Sequence, residues 1–325
     1  MKAFVTGSTG FLGRHLVADL LAHSYAVTAL VRTLDRARSL PPGVNYVPGD
    51  VTRPASMRAG MRGADVVFHV AAWYAVGIYP KDYARMRRIN VEGARRVLEL
   101  AGELGVPKIV YTSSVAVFGH THGQSVDEAY QRNGAAPFAS EYERTKYLAH
   151  YEVAAPLQQR GLPLVIVCPG LIYGPGDTSW WMTLFRLYAR RRLPVMIGPD
   201  NVLTWVHVAD VAAGHRLAAE RGRAGETYIL AGPPLTYREF FRACERATGL
   251  PAPLVWLPAR LAEVAAYSLR HAHPASAELL QNAGGICYLA RANKARRELG
   301  WNPRPVEEGM RETIEWLRAG KLSTN

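Results

Sequence analysis

The stretch that most constrains the fold comes first. Lys2-Ala-Phe-Val-Thr6 reads as a short apolar strand, and Gly7-Ser-Thr-Gly10-Phe-Leu-Gly13 follows at once. Phe11, Leu12, Leu16, Val17, Leu20 and Leu21 then recur at helical spacing. Strand, glycine-rich turn and helix, in that order, form the context in which a glycine motif becomes a dinucleotide site. Gly7 permits the tight turn, Gly10 lets the backbone approach a pyrophosphate, and Gly13 allows close helix packing. The helix N-terminus offers free N–H groups and a positive dipole end to phosphate.

The remaining chain keeps that rhythm. Further strands are expected near 26–31, 44–48, 65–70, 107–112 and 163–168, and helices near 11–23, 82–105 and 141–160. This alternation predicts an α/β fold with a Rossmann-type doubly wound parallel sheet. After Pro169 the pattern loosens into Gly/Pro-rich loops and helices, with strands expected near 195–197 and 226–230. A length of 325 residues suffices for one large α/β unit or two domains. No apolar stretch approaches the roughly 20 residues of a membrane span. No signal peptide is expected, because the first strand begins at Lys2. Cys168, Cys244 and Cys287 are odd in number, far apart and without metal-ligand spacing. No metal is therefore expected, and a reducing cytoplasm suits them. The net charge of +12 raises the question of nucleic acid, but only six of the 39 basic residues are lysine. The short clusters at Arg85, Arg87 and Arg88, and at Arg190 to Arg192, lie in no recognisable binding module, so no nucleic-acid partner is expected. Residues from Lys321 onward are expected to fray.

A second motif carries chemistry. Tyr142 and Lys146 are four residues apart, so on a helix they share a face. An ammonium beside a phenol favours the phenolate and is expected to lower the tyrosine pKa. Ser140 and Glu143 read as a capping box that starts this helix, with Tyr142 in its first turn.

Taken together, the chain resembles an extended short-chain dehydrogenase/reductase along nearly its whole length. The resemblance rests on Gly7-x-x-Gly-x-x-Gly13, Gly49-Asp50-Val51, His69-Val-Ala-Ala72 and Asn90-Val-Glu-Gly93, then on Tyr111-Thr-Ser-Ser-Val-Ala-Val-Phe-Gly119 and Tyr142-x-x-x-Lys146. Pro169-Gly-Leu-Ile-Tyr-Gly-Pro175 and His207-Val-Ala-Asp210 complete it. Within the family the chain resembles bacterial dihydroflavonol 4-reductase-like and hopanoid-associated sugar epimerase-like proteins. The resemblance implies catalysis by Ser114, Tyr142 and Lys146, with Asn90 helping to position the lysine; on residues alone, Asn90 could equally be a helix-internal amide bonding to backbone. It also implies a nicotinamide cofactor bound by Gly7, Thr9, Gly10, Phe11, Leu12 and Gly13, with Asp50 at the adenine edge and Val51 on the ring. Val70, Ala71, Ala72, Thr112, Pro169, Gly170 and Ile172 would line the rest of the cofactor groove, and Lys146 would bind the nicotinamide ribose. The implied layout is an NADP-binding domain over 1–170, rejoined by 203–230, and a substrate lobe over 171–202 and 231–325. Two long helices per subunit, near 82–105 and 141–160, would pair into a homodimer.

Cofactor choice is read from the end of the second strand. Val27-Thr-Ala-Leu-Val31 runs into Arg32, with Arg36 and Arg38 beyond, and Asp35 falls past the strand end. An arginine there suits a 2′-phosphate, so NADP is favoured, with NAD possible. For Arg36 and Arg38, solvated surface is the better reading. The substrate-facing stretches carry Trp73, Tyr74 and Tyr79, then Trp180 and Trp181. They suit either an apolar pocket or lobe packing. Sugar-nucleotide enzymes of this family often carry an arginine before the segment resembling His207 to Asp210; this chain has Leu203-Thr204-Trp205-Val206. The expectation is therefore reduction of a ketone or aldehyde, or oxidation of the alcohol, on a medium-sized, fairly apolar substrate. The alternatives are a nucleotide-sugar epimerase with retained cofactor and a non-catalytic nucleotide sensor. Finally, Val255, Trp256, Leu257, Leu261, Val264, Ala265 and Leu269 form an apolar stripe. A lid or core helix is expected there rather than a membrane contact.

Overall fold

The computed structural model describes residues 1–134, 136–270 and 272–320, so the fraying expected from Lys321 lies outside the described residues. Six strands arise in the order expected: β1 (Lys2–Thr6), β2 (Ala26–Val31), β3 (Asn45–Pro48), β4 (Val66–His69), β5 (Lys108–Thr112) and β6 (Leu164–Pro169). Six further strands follow: β7 (Leu171–Tyr173), β8 (Val195–Ile197), β9 (Val202–His207), β10 (Thr227–Leu230), β11 (Pro234–Thr236) and β12 (Val255–Leu257). The main sheet has seven strands in the order β10-β6-β5-β4-β1-β2-β3. Its pairs are all parallel. Both faces are covered by helices, which is why β4 and β6 read as continuous apolar runs and are buried throughout.

The strand order reverses between β1 and β4, and ligands bind beyond the carboxyl ends of strands at such a switch point. Val5 sits opposite both Ala29 and Phe68, and Thr6 opposite His69, so the chain leaves β1 and β4 side by side. Over this edge stand two long helices, 83–103 and 141–159, each broken by a π-helical stretch at Arg88–Glu92 and Leu148–Ala154. The second break has a cause in the sequence. Pro156 has no N–H to donate to the Glu152 carbonyl, which instead accepts from the Arg95 guanidinium at 3.4 Å.

A second core lies after Pro169. β9 pairs with β7 and β11 in a small sheet, and the helices Trp180–Ala189, Tyr237–Thr248 and Val306–Arg318 close over it. Trp205 stacks on Phe240 at 3.8 Å and meets Trp181 edge-on at 4.7 Å. Of the apolar stripe, expected as a lid or core helix, Trp256 packs on this core, 6.2 Å from Phe241, but most of the rest stays outside. Leu254 is 82% exposed, Val264 65% and Tyr267 66%, whereas only the small Ala262 and Ala266 of the helix Ala259–Leu269 are buried. That helix packs through them against the helix Pro274–Ala283 and leaves its large side chains outside.

Candidate functional site

The turn after β1 is shaped by what glycine omits. Gly7 has φ +71°, and a Cβ there would sit 2.6 Å from the Ala71 backbone nitrogen across the switch point. A Cβ on Gly13 would overlap the Gly7 carbonyl, so turn and helix can touch only through glycine. Gly10 caps the helix Phe11–Ala22 in an extended conformation, its N–H donating to the Gly7 carbonyl at 2.9 Å. The result is a cradle of main chain beneath a cleft of about 670 Å³, lined by every residue expected to hold the cofactor. A dinucleotide fits this cradle: backbone can approach its phosphates where side chains are missing, and Asp50 and Arg32 stand at its far end. Asp50 is kept below the ordinary carboxylate range: burial pushes it up, but the Thr52 amide and hydroxyl at 2.8 and 2.7 Å, with Arg32 and Arg53 nearby, outweigh that. Asp35 faces away and pairs at 3.8 Å with Arg38, both largely exposed. Arg36, read from sequence as surface, also lines the cleft.

The other wall carries the residues expected to do the chemistry. The Ser140 hydroxyl accepts from the Glu143 amide at 3.1 Å and starts the helix as expected. The reciprocal half of the capping box is absent, because Glu143 is drawn elsewhere. Its carboxylate forms a buried ion pair with Arg132, accepts from the Tyr288 hydroxyl at 2.8 Å and from the Ala139 amide at 3.1 Å. Arg132 also donates to the carbonyls of Ala136 and Pro137 and lies 4.2 Å over the Phe138 ring. This clamp fixes the first turn, and thereby Tyr142.

Tyr142 and Lys146 face the cleft together, with Ser114. Ser114 lines the cleft within hydrogen-bonding reach of the Tyr142 phenol. Ser113 also borders the cleft, but its hydroxyl is engaged with His150 Nδ1 at 2.8 Å. The expected lowering of the Tyr142 pKa is corrected by the geometry. Burial first, then the neighbouring Tyr74, push the phenol well above 10, and the Ser114 hydrogen bond only partly offsets them. The Lys146 ammonium is turned to the Thr112 carbonyl at 2.7 Å and to the Tyr111 ring at 5.5 Å. It is 3% exposed, and burial lowers its pKa to about 8. His69, His150 and His215 surround it, held near 3, 4 and 4 by burial first, with the Lys146 charge adding to it and, at His215, a Val211 carbonyl hydrogen bond opposing it. His69 is bound by Thr6 at 2.7 Å and His215 by Thr112 at 2.8 Å, and none of these histidines competes with Lys146 as a cation at neutral pH.

Asn90 does not line the cleft. Its amide brackets the backbone of Trp73, accepting from the N–H at 2.7 Å and donating to the carbonyl at 3.0 Å, and also donates to Thr145 at 3.0 Å. It ties the loop after β4 to the helix of Lys146. At the substrate end, Trp73, Tyr74 and Trp180 line the wall, while Trp181 does so only with an edge, being 3% exposed in the second core. Tyr79 is exposed and outside the cleft. Sequence reasoning missed Arg85, Asp177, Tyr237, Asn282 and Tyr288, all cleft-lining. Arg85 reaches over the Trp73 ring at 5.0 Å. The turn Gly174-Pro-Gly-Asp177 was a local signal for Asp177, whose carboxylate accepts from Ser179 at 2.7 and 2.8 Å; Tyr288 had none.

Comparison with known proteins gives the same picture. The family described as the NAD dependent epimerase/dehydratase family matches residues 3–231. A Synechocystis protein named provisionally as a dihydroflavonol 4-reductase is 34% identical, over 97% of this chain and 94% of its own. A 4-hydroxy-2-methyl-3-oxo-4-farnesyl-3,4-dihydroquinoline-1-oxide ketoreductase of Stigmatella aurantiaca is 32% identical over 95% of this chain and 94% of its own. The crystal structure of gox2253 superposes with a TM-score of 0.85 at 30% identity, covering 98% of each chain.

Proposed function

Since the chain belongs to the NAD-dependent epimerase/dehydratase family, of the extended short-chain dehydrogenase/reductase type, we propose that it is an NADP(H)-dependent oxidoreductase. Its substrate is a medium-sized, fairly apolar ketone or aldehyde, or the matching alcohol. The observation that carries this reading is the meeting of Ser114, Tyr142 and Lys146 on one wall of the cleft whose floor is the glycine cradle. When bound, the nicotinamide supplies the hydride in reduction and accepts it in oxidation. The Tyr142 Oη, whose raised pKa keeps its proton at neutral pH, donates that proton to the substrate carbonyl oxygen. Ser114 Oγ hydrogen-bonds the same oxygen as charge develops on it. Lys146 supplies the buried positive charge beside both. Asn90 keeps Trp73 and the Lys146 helix in register, a positioning role.

Arg32 and Arg36 at the far end, with Asp35 turned away, support NADP over NAD. Trp73, Tyr74 and Trp180 support an apolar substrate, as does the name of the Stigmatella relative, a ketoreductase of a farnesylated ring. A second reading, a sugar epimerase that retains its cofactor, draws on Arg85, a guanidinium at the substrate end able to meet a diphosphate. The test is NADPH and NADH oxidation over a panel of apolar ketones and aldehydes, with UDP-sugars followed for isomers. Carbonyl-dependent NADPH consumption that drops about 10²–10⁴-fold in Tyr142→Phe, with an unchanged circular dichroism spectrum, is expected. Isomerised sugar without net cofactor change would overturn the reductase reading.

A further inference from the structure

Two sequence features remain outside this chemistry, the apolar stripe after Leu254 and the arginine cluster before Val195, and the fold brings them together. β12 pairs with β8 so that Val255 lies opposite Val195, and the amides of Leu254 and Val255 both donate to the Pro194 carbonyl at 3.0 Å. Arg190, Arg191 and Arg192 lead into that strand and are exposed, with Arg191 at φ +56° in the turn. On the other flank, Arg238 and Arg242 border a hollow shared with Leu254 and Trp256, and Arg238 lies 5.1 Å over the Trp256 ring. The helix Ala259–Leu269 continues the apolar surface with Leu261, Val264 and Tyr267, beside Arg260. The acidic side chains within this stretch are Glu239, Glu245 and Glu263, against seven arginines from Arg190 to Arg192 and at Arg238, Arg242, Arg246 and Arg260.

We propose that the C-terminal lobe docks on the surface of an anionic lipid bilayer, burying the face of Leu254, Val255, Leu261, Val264 and Tyr267 with the arginine rim against the headgroups. Large apolar side chains ringed by arginine match the boundary between acyl chains and anionic headgroups. A second copy of this chain fits less well, since a two-fold contact sets the same arginines against one another. Among the described residues no helix is long and apolar enough to cross a membrane, so the contact is with the surface. The face is also joined to the cleft. The helix Ala259–Leu269 packs on Pro274–Ala283, whose Leu279 presses on Gly77 in the loop after Trp73, and Asn282 lines the cleft itself. The docking does not depend on the proposed oxidoreductase activity.

Co-sedimentation of the full chain with phosphatidylcholine vesicles, with and without phosphatidylglycerol, tests the proposal. Binding to the anionic vesicles alone is expected, weakening with added salt, about fivefold on Arg191→Gln or Arg192→Gln, and tenfold or more on Val264→Asp. Should Val264→Asp fail to fold, the highly exposed Leu254→Ser carries the same test. Wild-type protein left in the supernatant at low salt would overturn the proposal. So would a dimer, measured by light scattering, that Val264→Asp or Leu254→Ser turns into a monomer, because a second copy would then cover the face.

Discussion

At the cofactor end of the cleft the wall is main chain, whereas at the substrate end it is side chain. Gly7, Gly10 and Gly13 work by having no Cβ, and the pairing of β1 with β4 within one sheet places them. Trp73 with Tyr74, Trp180 and Tyr237 come from three separate places in the chain and meet only because the second core packs as it does. A wall of backbone recognises what dinucleotides share; a wall of side chains can be exchanged residue by residue as substrates change.

The sharpest way to break that comparison is to give the backbone end a side chain. Gly13→Val places methyls in the Gly7 carbonyl and is expected to cost about 3 kcal/mol of stability and to abolish cofactor binding. Thermal unfolding with and without NADPH reads both, and an unchanged cofactor-induced shift would refute the cradle. Next in size is the pH dependence set by Lys146. With its pKa lowered to about 8, the ammonium is lost sooner than from a free lysine, so turnover is expected to fall about tenfold per pH unit above 8. Stability moves the other way. Unfolded chain holds that proton up to about 10.5, so folding becomes more favourable as pH climbs from about 8 towards 10.5, and Lys146→Met should flatten that rise. A smaller effect belongs to Arg32→Ser, expected to raise the NADPH KM about tenfold while leaving that for NADH unchanged. Equal losses for both cofactors would remove the support for NADP. Least of all, Trp180→Ala should raise the substrate KM about two- to tenfold at constant cofactor KM, as one aromatic wall is worth about 0.5–1.5 kcal/mol.

The same contrast explains what could be read from the sequence. The six main strands, the glycine turn and the pair Tyr142 and Lys146 are local patterns, and local patterns place local structure. The cofactor groove followed because its residues sit at strand ends of one sheet. Tyr288, Asn282 and Arg85 reached the cleft through long-range packing that no local pattern encodes. The electrostatics misled for a related reason. A neighbour at i+4 suggested a lowered Tyr142 pKa, but burial, a property of the whole fold, set its sign. The stripe after Leu254 shows the converse: its periodicity was that of a helix, yet the alanines rather than the large residues face inward.

The clamp on Glu143 has a consequence for the history of each molecule. The hydroxyl that completes it comes from Tyr288, 145 residues further along, and Val126 and Thr121 are likewise tied to Leu289 and Cys287. A ribosome adds about 5–20 residues per second. For on the order of several seconds, a growing chain can therefore own its sheet, its glycine turn and the helix of Tyr142 and still lack the strut that sets the tyrosine. The contact that sets Tyr142 thus arrives late, made across the finished fold once its last large segment is in place.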